Sequence, residues 1–262
     1  MSYSGKSVLI TGASSGIGAE FARQFHARGA ELILSARREN LLNDLTSVFN
    51  AARKNSCRYI VADLTLEEDL KKVCQHINES RVDILVNNAG FGSLGYFHDL
   101  DIKHEVTMLK LNIIATTEIL HSVLAQMKNR KSGNIISVSS VAAFHPMPFM
   151  STYAATKAYN FHHSLGLRRE LADLNINISV LCPGPTETEF FGAAKLSGLA
   201  KKMRRDNVAD VVKSAISGME HRKAYIVTGL RSKLMALAAG FLPISLSTWA
   251  ISKVLKPKAR NT

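Results

Sequence analysis

The chain has 262 residues, 46% hydrophobic and 21% charged, with a formal net charge of +12 and three cysteines. That balance supports a buried core and excludes wholesale disorder; an odd number of cysteines without paired spacing excludes a disulfide framework. The basic residues are scattered in small clusters at Arg37-Arg38, Lys201-Lys202, Arg204-Arg205 and Lys253 to Arg260, with no aromatic interleaving and no metal-ligand spacing, so neither a nucleic-acid partner nor a metal is expected.

The first predicted element is a strand at Ser7–Thr11. It begins too early to leave room for a signal peptide, which with the unpaired cysteines points to the cytoplasm. The strand runs into Thr11-Gly12-Ala13-Ser14-Ser15-Gly16-Ile17-Gly18, and a helix is expected over Ile17–Arg28. Gly12 permits a tight turn, Gly16 permits close approach of a phosphate, and Gly18 lets the helix pack against the sheet. Unpaired N–H groups at the helix start then favour a pyrophosphate. The same glycines also suit a plain tight turn; their place between a first strand and a first helix favours a dinucleotide. The second strand, Glu31–Ser35, leads to Ala36-Arg37-Arg38. An acid there would accept from a ribose 2′-hydroxyl, whereas two arginines suit a 2′-phosphate, so the expected cofactor is NADP(H).

Strands at Cys57–Val61 and Ile84–Asn87 follow. Asp63, after the third strand, either accepts from an adenine amino group or caps the next helix. Asn87-Asn88-Ala89-Gly90, after the fourth, either lets the backbone approach a cofactor or holds turns together. Asn112 is a polar residue in the apolar run Leu111-Asn112-Ile113-Ile114 and needs a partner if buried. The fifth strand, Asn134–Val138, delivers Ser139-Ser140, and a helix over Tyr153–Leu174 puts Tyr153 and Lys157 one turn apart on one face. A phenol near pKa 10 is a poor base, but a neighbouring ammonium and an oxidised nicotinamide favour its phenolate. Tyr153 can then exchange a proton with an alcohol or carbonyl, while Ser140 steadies the oxygen.

Strands at Asn177–Leu181 and Ala224–Val227 complete the alternation, which predicts an α/β fold with one doubly wound parallel sheet over residues 1–229. Leu234 to Ser252 lacks any charged residue and is broken by Pro243. Residues 230–262 are therefore expected to form a C-terminal extension of two short helices that covers the domain, contacts a partner subunit or lies on a membrane surface.

Taken together, Thr11–Gly18, Asp63, Asn87–Gly90, Asn112, Ser140, Tyr153 with Lys157, and Pro183-Gly184 followed by Thr188 resemble the classical short-chain dehydrogenase/reductases in order and spacing, over roughly Lys6 to Thr228. The resemblance implies a Rossmann fold and hydride transfer between a carbonyl and a secondary alcohol. It implies that Tyr153 is the acid/base, that Ser140 positions the substrate oxygen, and that Lys157 binds the nicotinamide ribose and lowers the tyrosine pKa. Asn112 would hold a relay water. Cofactor contacts are implied for Gly12, Ser14, Ser15, Gly16, Ile17, Gly18, Arg37, Arg38, Asp63, Leu64, Asn87, Ala89, Gly90, Pro183, Gly184, Thr186 and Thr188. A homodimer or homotetramer is also implied, because such proteins commonly pair their Tyr-Lys helices. Ser15 departs from the basic residue that many NADP-preferring members carry, and Val141-Ala142-Ala143 replaces a common glycine.

A mobile substrate lid is expected over Thr186 to Arg205, with Phe190, Phe191, Leu196 and Leu199. With Phe144, Met147, Pro148, Phe149 and Met150 they suggest an apolar pocket and a lipophilic substrate. Two alternatives stand beside this reading. One is a 3-ketoacyl thioester reductase, although the last strand lacks the closing glycine pair of ketoacyl-carrier-protein reductases. The other is a non-catalytic NADP(H)-binding sensor or scaffold.

Overall fold

A computed structural model describes residues 1–190, 205–239 and 241–257. Seven strands form one parallel sheet: β1 (Ser7–Thr11), β2 (Glu31–Ala36), β3 (Cys57–Val61), β4 (Ile84–Asn87), β5 (Gly133–Val138), β6 (Ile176–Cys182) and β7 (Tyr225–Val227). Each lies within a residue or two of its sequence expectation. Their spatial order is β3-β2-β1-β4-β5-β6-β7. The chain winds outward from β1, then returns to lay β4 on the other side of β1, so a crevice opens where the direction reverses.

The strands are apolar on both faces because both faces are covered. Alternate side chains enter two different cores. Val8 and Ile10 of β1, Leu32 and Leu34 of β2, and Ile84 and Val86 of β4 pack with α1 (Gly16–Ala27), α2 (Glu39–Ala52) and α7 (Val208–Glu220). The intervening Leu9, Ile33 and Leu85 pack with α3 (Glu67–Glu79) and α5 (Thr116–Arg130). Leu9 sits in register with Ile33 on one side and Leu85 on the other, so the split runs across the sheet.

Helix α4 (Ile102–Leu109) continues without a break through a wide π turn, Lys110–Ala115, into α5. Helix α6 spans Ser151–Glu170 and is followed by a short 3-10 turn, Ala172–Leu174, where the sequence suggested one continuous helix. The extension forms α8 (Leu230–Ala239) and α9 (Ile244–Leu255), separated at Pro243. The expected lid residues 191–204, among them Phe191, Leu196 and Leu199, lie outside the described residues.

Candidate functional site

The loop after β1 has the backbone that its glycines were expected to allow. Gly12 and Gly16 adopt φ of +65° and +54°, in the left-handed region open mainly to glycine. A Cβ on Gly18 would overlap the Gly12 carbonyl, so only glycine lets α1 approach the turn this closely. Ser15 precedes α1 without capping it by side chain, so the first-turn N–H groups remain for an anion. Asn88 holds the mouth of the crevice: its amide donates to the Thr11 carbonyl at 2.9 Å, and the backbone N–H groups of Asn88 and Ala89 both donate to the Thr11 hydroxyl at 3.0 Å. Of the two readings of this segment, turn-holding describes Asn88. The Asn87 amide turns inward to the Thr116 carbonyl at 2.8 Å.

The arginines after β2 are engaged. Arg38 donates to Ser14 Oγ at 3.1 and 3.2 Å and to Ser15 Oγ at 2.5 Å, and pairs with Glu189 Oε2 at 2.8 Å. Arg37 reaches Asp63 Oδ2 at 3.5 Å. Asp63 Oδ1 accepts from the Thr65 N–H and hydroxyl, and the residue preceding α3 is Leu66, so Asp63 shapes a turn instead of capping the helix. Burial pushes the Asp63 carboxyl up, but the Thr65 bonds and Arg37 outweigh it and hold the group below the usual carboxylate range. Leu64 points into the second core, and Ile17 packs against the first.

Across the crevice, β5 and α6 bring the chemical groups together. Ser140, Tyr153 and Lys157 are all buried. Ser140 Oγ accepts from the Ala142 N–H at 3.1 Å, which leaves its own O–H to donate elsewhere. Lys157 Nζ donates to the Val138 carbonyl at 2.9 Å and lies 5.9 Å from the centroid of the Tyr153 ring. Ser139, one residue before Ser140, donates to the Lys157 carbonyl at 2.7 Å, tying the end of β5 to α6.

Burial pushes the Tyr153 phenol up to about 12, although Ser140 pulls it the other way, and brings Lys157 down to about 8. The tyrosine is therefore protonated at neutral pH; the group that lowers its pKa is Ser140, and not the Lys157 ammonium that the sequence suggested. Cys182, beside Lys157, is itself pushed up to about 12 by burial, so it stays a neutral thiol at neutral pH.

Asn112 is fully buried on the π turn. Its amide donates to the Phe91 carbonyl at 2.9 Å and to Thr156 Oγ1 at 3.0 Å, and its Oδ1 accepts from the Phe91 N–H at 3.2 Å. A Cβ on Gly90 would lie 3.0 Å from Asn112 Oδ1 and 3.4 Å from Lys157 Nζ. Gly92 was not anticipated: a Cβ there would sit 2.9 Å from Tyr153 Cδ2 and 3.0 Å from Phe190 Cζ. The closely spaced glycines 90 and 92 were the available signal.

After β6, Pro183 accepts from the Val141 N–H at 3.1 Å, and Thr186 donates to the Gly184 carbonyl at 2.9 Å. Thr188 meets Gly16, whose Cβ would lie 3.1 Å from Thr188 Cβ, so this segment crosses above the phosphate loop. The expected apolar enclosure forms around Tyr153 from Met147, Phe149, Met150 and Phe190, joined by Phe91 and Leu94. Phe144 corrects the expectation: it turns away to stack edge-on against Phe161 at 5.0 Å. Two residues of α9, Ile251 and Leu255, also pack into the enclosure.

The glycine cradle and the uncapped α1 terminus fit the pyrophosphate of a nicotinamide dinucleotide. Among the described residues no cluster of three or more histidine, cysteine or acidic side chains is arranged to hold a metal.

The comparisons with known proteins agree with this geometry. A family model described as short chain dehydrogenase matches residues 6–197. An uncharacterized oxidoreductase of Staphylococcus epidermidis is 30% identical over 223 residues, covering 85% of this chain and 96% of its own. A short-chain dehydrogenase from Sphingobium yanoikuyae, solved in complex with NADPH, is 30% identical with a TM-score of 0.83, over 98% of this chain and 99% of that one. A bulky-bulky ketone specific alcohol dehydrogenase from Comamonas testosteroni is 28% identical with a TM-score of 0.78, over 97% and 96% of the two chains.

Proposed function

The chain belongs to the short-chain dehydrogenase family, and on that footing we propose that it is an NADP(H)-dependent oxidoreductase interconverting a carbonyl and a secondary alcohol on a lipophilic small molecule. The observation that carries this reading is the Ser140 hydroxyl and the Tyr153 phenol buried together at the carboxyl edge of β5, inside an apolar enclosure. A nicotinamide held beside Tyr153 and Lys157 would supply or accept the hydride. Ser140 donates to the substrate oxygen, and Tyr153 delivers a proton to it in reduction and removes one in oxidation. Lys157, held on the Val138 carbonyl, binds the ribose and favours negative charge on the phenol oxygen when the alcohol is to be deprotonated. Asn112 keeps the Gly90–Phe91 loop beside Lys157, and in the relay the resemblance implies it would also hold a water.

Preference for NADP(H) is supported by Arg37 and Arg38 in place of an acid after β2. The NADPH complex of the Sphingobium relative agrees with it. Gly12, Ser14, Ser15, Gly16, Ile17 and Gly18 would cradle the phosphates. Asp63, Leu64, Asn87, Ala89 and Gly90 would border the adenosine and its ribose, and Pro183, Gly184, Thr186 and Thr188 would orient the carboxamide. The aromatic and methionine lining supports a bulky apolar ketone, as does the bulky-ketone specificity in the name of the Comamonas relative. Exposed Val106, Leu109, Ile114 and Tyr159 on α4 to α6 support self-association as a homodimer or homotetramer. Unpaired cysteines 57, 74 and 182 support residence in the cytoplasm.

The test is a titration of the purified protein with NADPH and NADH, followed by cofactor fluorescence, and then a panel of bulky ketones with the preferred cofactor. Tighter NADPH binding and ketone-dependent oxidation of NADPH are expected. Equal affinity for the two would remove the arginine argument, and cofactor binding without turnover on any carbonyl would favour the sensor reading.

A further inference from the structure

The C-terminal helices keep much of their apolar surface on the outside. In most folds the apolar side chains of a helix face inward. Here Ser232 of α8 and Ser247 of α9 are buried, each only 5% exposed, while Leu234, Leu237, Phe241, Ile244, Trp249 and Val254 stand 59–81% exposed. Almost half of the large apolar side chains exposed among the described residues lie in this stretch, about a tenth of the chain. Hydrophobicity of this density at a surface marks an interaction site.

Charge indicates which kind. From His221 to Thr262 the sequence contains no aspartate or glutamate and eight lysines and arginines. Exposed Arg231, Lys233, Lys253 and Lys256 flank the apolar side chains, and Lys253 Nζ lies over the Trp249 ring at 5.7 Å. A second copy is a poor occupant, because a two-fold contact would set this all-positive surface against itself. At 10 and 12 residues, α8 and α9 reach roughly 15 and 18 Å, about half of a hydrocarbon core, so neither is long enough to span a bilayer.

We propose that α8 and α9 form a docking surface for an anionic lipid bilayer. Their outer apolar side chains enter the boundary between headgroups and acyl chains, and the surrounding lysines and arginines meet lipid phosphates. The inner side of α9 carries Ile251 and Leu255 into the enclosure around Tyr153, so the docked surface and the candidate active site share one helix as their wall.

Trp249 is the chain's sole tryptophan, so tryptophan emission, excited apart from that of the tyrosines, reports on this surface alone and needs no turnover. Full-length protein is mixed with phosphatidylcholine vesicles with or without phosphatidylglycerol, and emission is read alongside co-flotation. The expected result is a blue shift and flotation with the phosphatidylglycerol vesicles, quenching by brominated acyl chains, and reversal by salt. Lys253→Gln and Lys256→Gln, both at exposed positions, should each weaken binding about fivefold. No shift or flotation with anionic vesicles would overturn the proposal. So would equal binding to vesicles of phosphatidylcholine alone. A blue shift that tracks protein concentration without lipid would assign the surface to a second copy.

Discussion

Burial acts on Tyr153 and Lys157 in opposite senses, taking the phenol up to about 12 and the ammonium down to about 8. A protonated phenol is ready to donate, which suits reduction; oxidation needs the phenolate, whose fraction grows as pH rises toward the phenol pKa. The rate of alcohol oxidation, measured where chemistry limits, should therefore climb from neutral to alkaline pH, and a flat profile would contradict the assignment. Tyr153→Phe should lower turnover by about 10²–10⁴-fold while NADPH titration stays nearly unchanged; retained turnover would remove Tyr153 from its role. On the other side of the crevice, Glu189 occupies Arg38 where a 2′-phosphate would be held. That pair is largely exposed and worth at most about 1 kcal/mol. Glu189→Gln should thus tighten NADPH by no more than about fivefold and leave NADH unchanged in paired fluorescence titrations. Equal effects on both cofactors would show that the carboxylate does not compete with the phosphate.

At the scale of elements, the distance between α1 and the turn after β1 rests on a missing methyl group. Gly18→Ala would drive a Cβ into the Gly12 carbonyl, and we expect a loss of about 1–3 kcal/mol in denaturant unfolding together with weaker cofactor binding. Unchanged stability would mean that α1 can shift without cost. This glycine was legible in the sequence because its spacing from Gly12 and Gly16 matched the need. The π turn beneath Asn112 was not legible: Lys110–Ala115 has an ordinary helical composition, and its wider hydrogen-bond spacing is a backbone feature with no residue signature. Asn112 signalled only that a buried amide must find partners; that these are Phe91 and Thr156, distant in sequence, is a tertiary fact. Phe144 misled for a similar reason. Its position between Ser140 and Tyr153 suggested the pocket, but the 3-10 turn at Val141–Phe144 aims it toward Phe161.

Over the whole molecule, the seven strands were readable because strands buried on both faces are continuous apolar runs, and the helices because theirs are interrupted at helical spacing. Which strand side chain enters which core follows from alternation, yet the partner helices come only from the winding order. Phe21, fully buried where α1 meets the sheet, should cost about 3–5 kcal/mol of unfolding free energy when changed to alanine, as measured by denaturant titration. A loss under 1 kcal/mol would mean that this core can collapse around the gap. The extension resisted reading because an uncharged run looks the same whether it faces protein, partner or lipid; which of its side chains are buried and which exposed is a tertiary fact. Thr11 ends β1 at the point where the winding of the sheet reverses. Its buried hydroxyl receives two backbone N–H groups from across the reversal of the sheet, so a single oxygen gauges how far apart β1 and β4 may stand. Serine would preserve that gauge, whereas valine, nearly the same in shape, would strand both donors. Substitution at this position is thus constrained first by the atom type at one vertex.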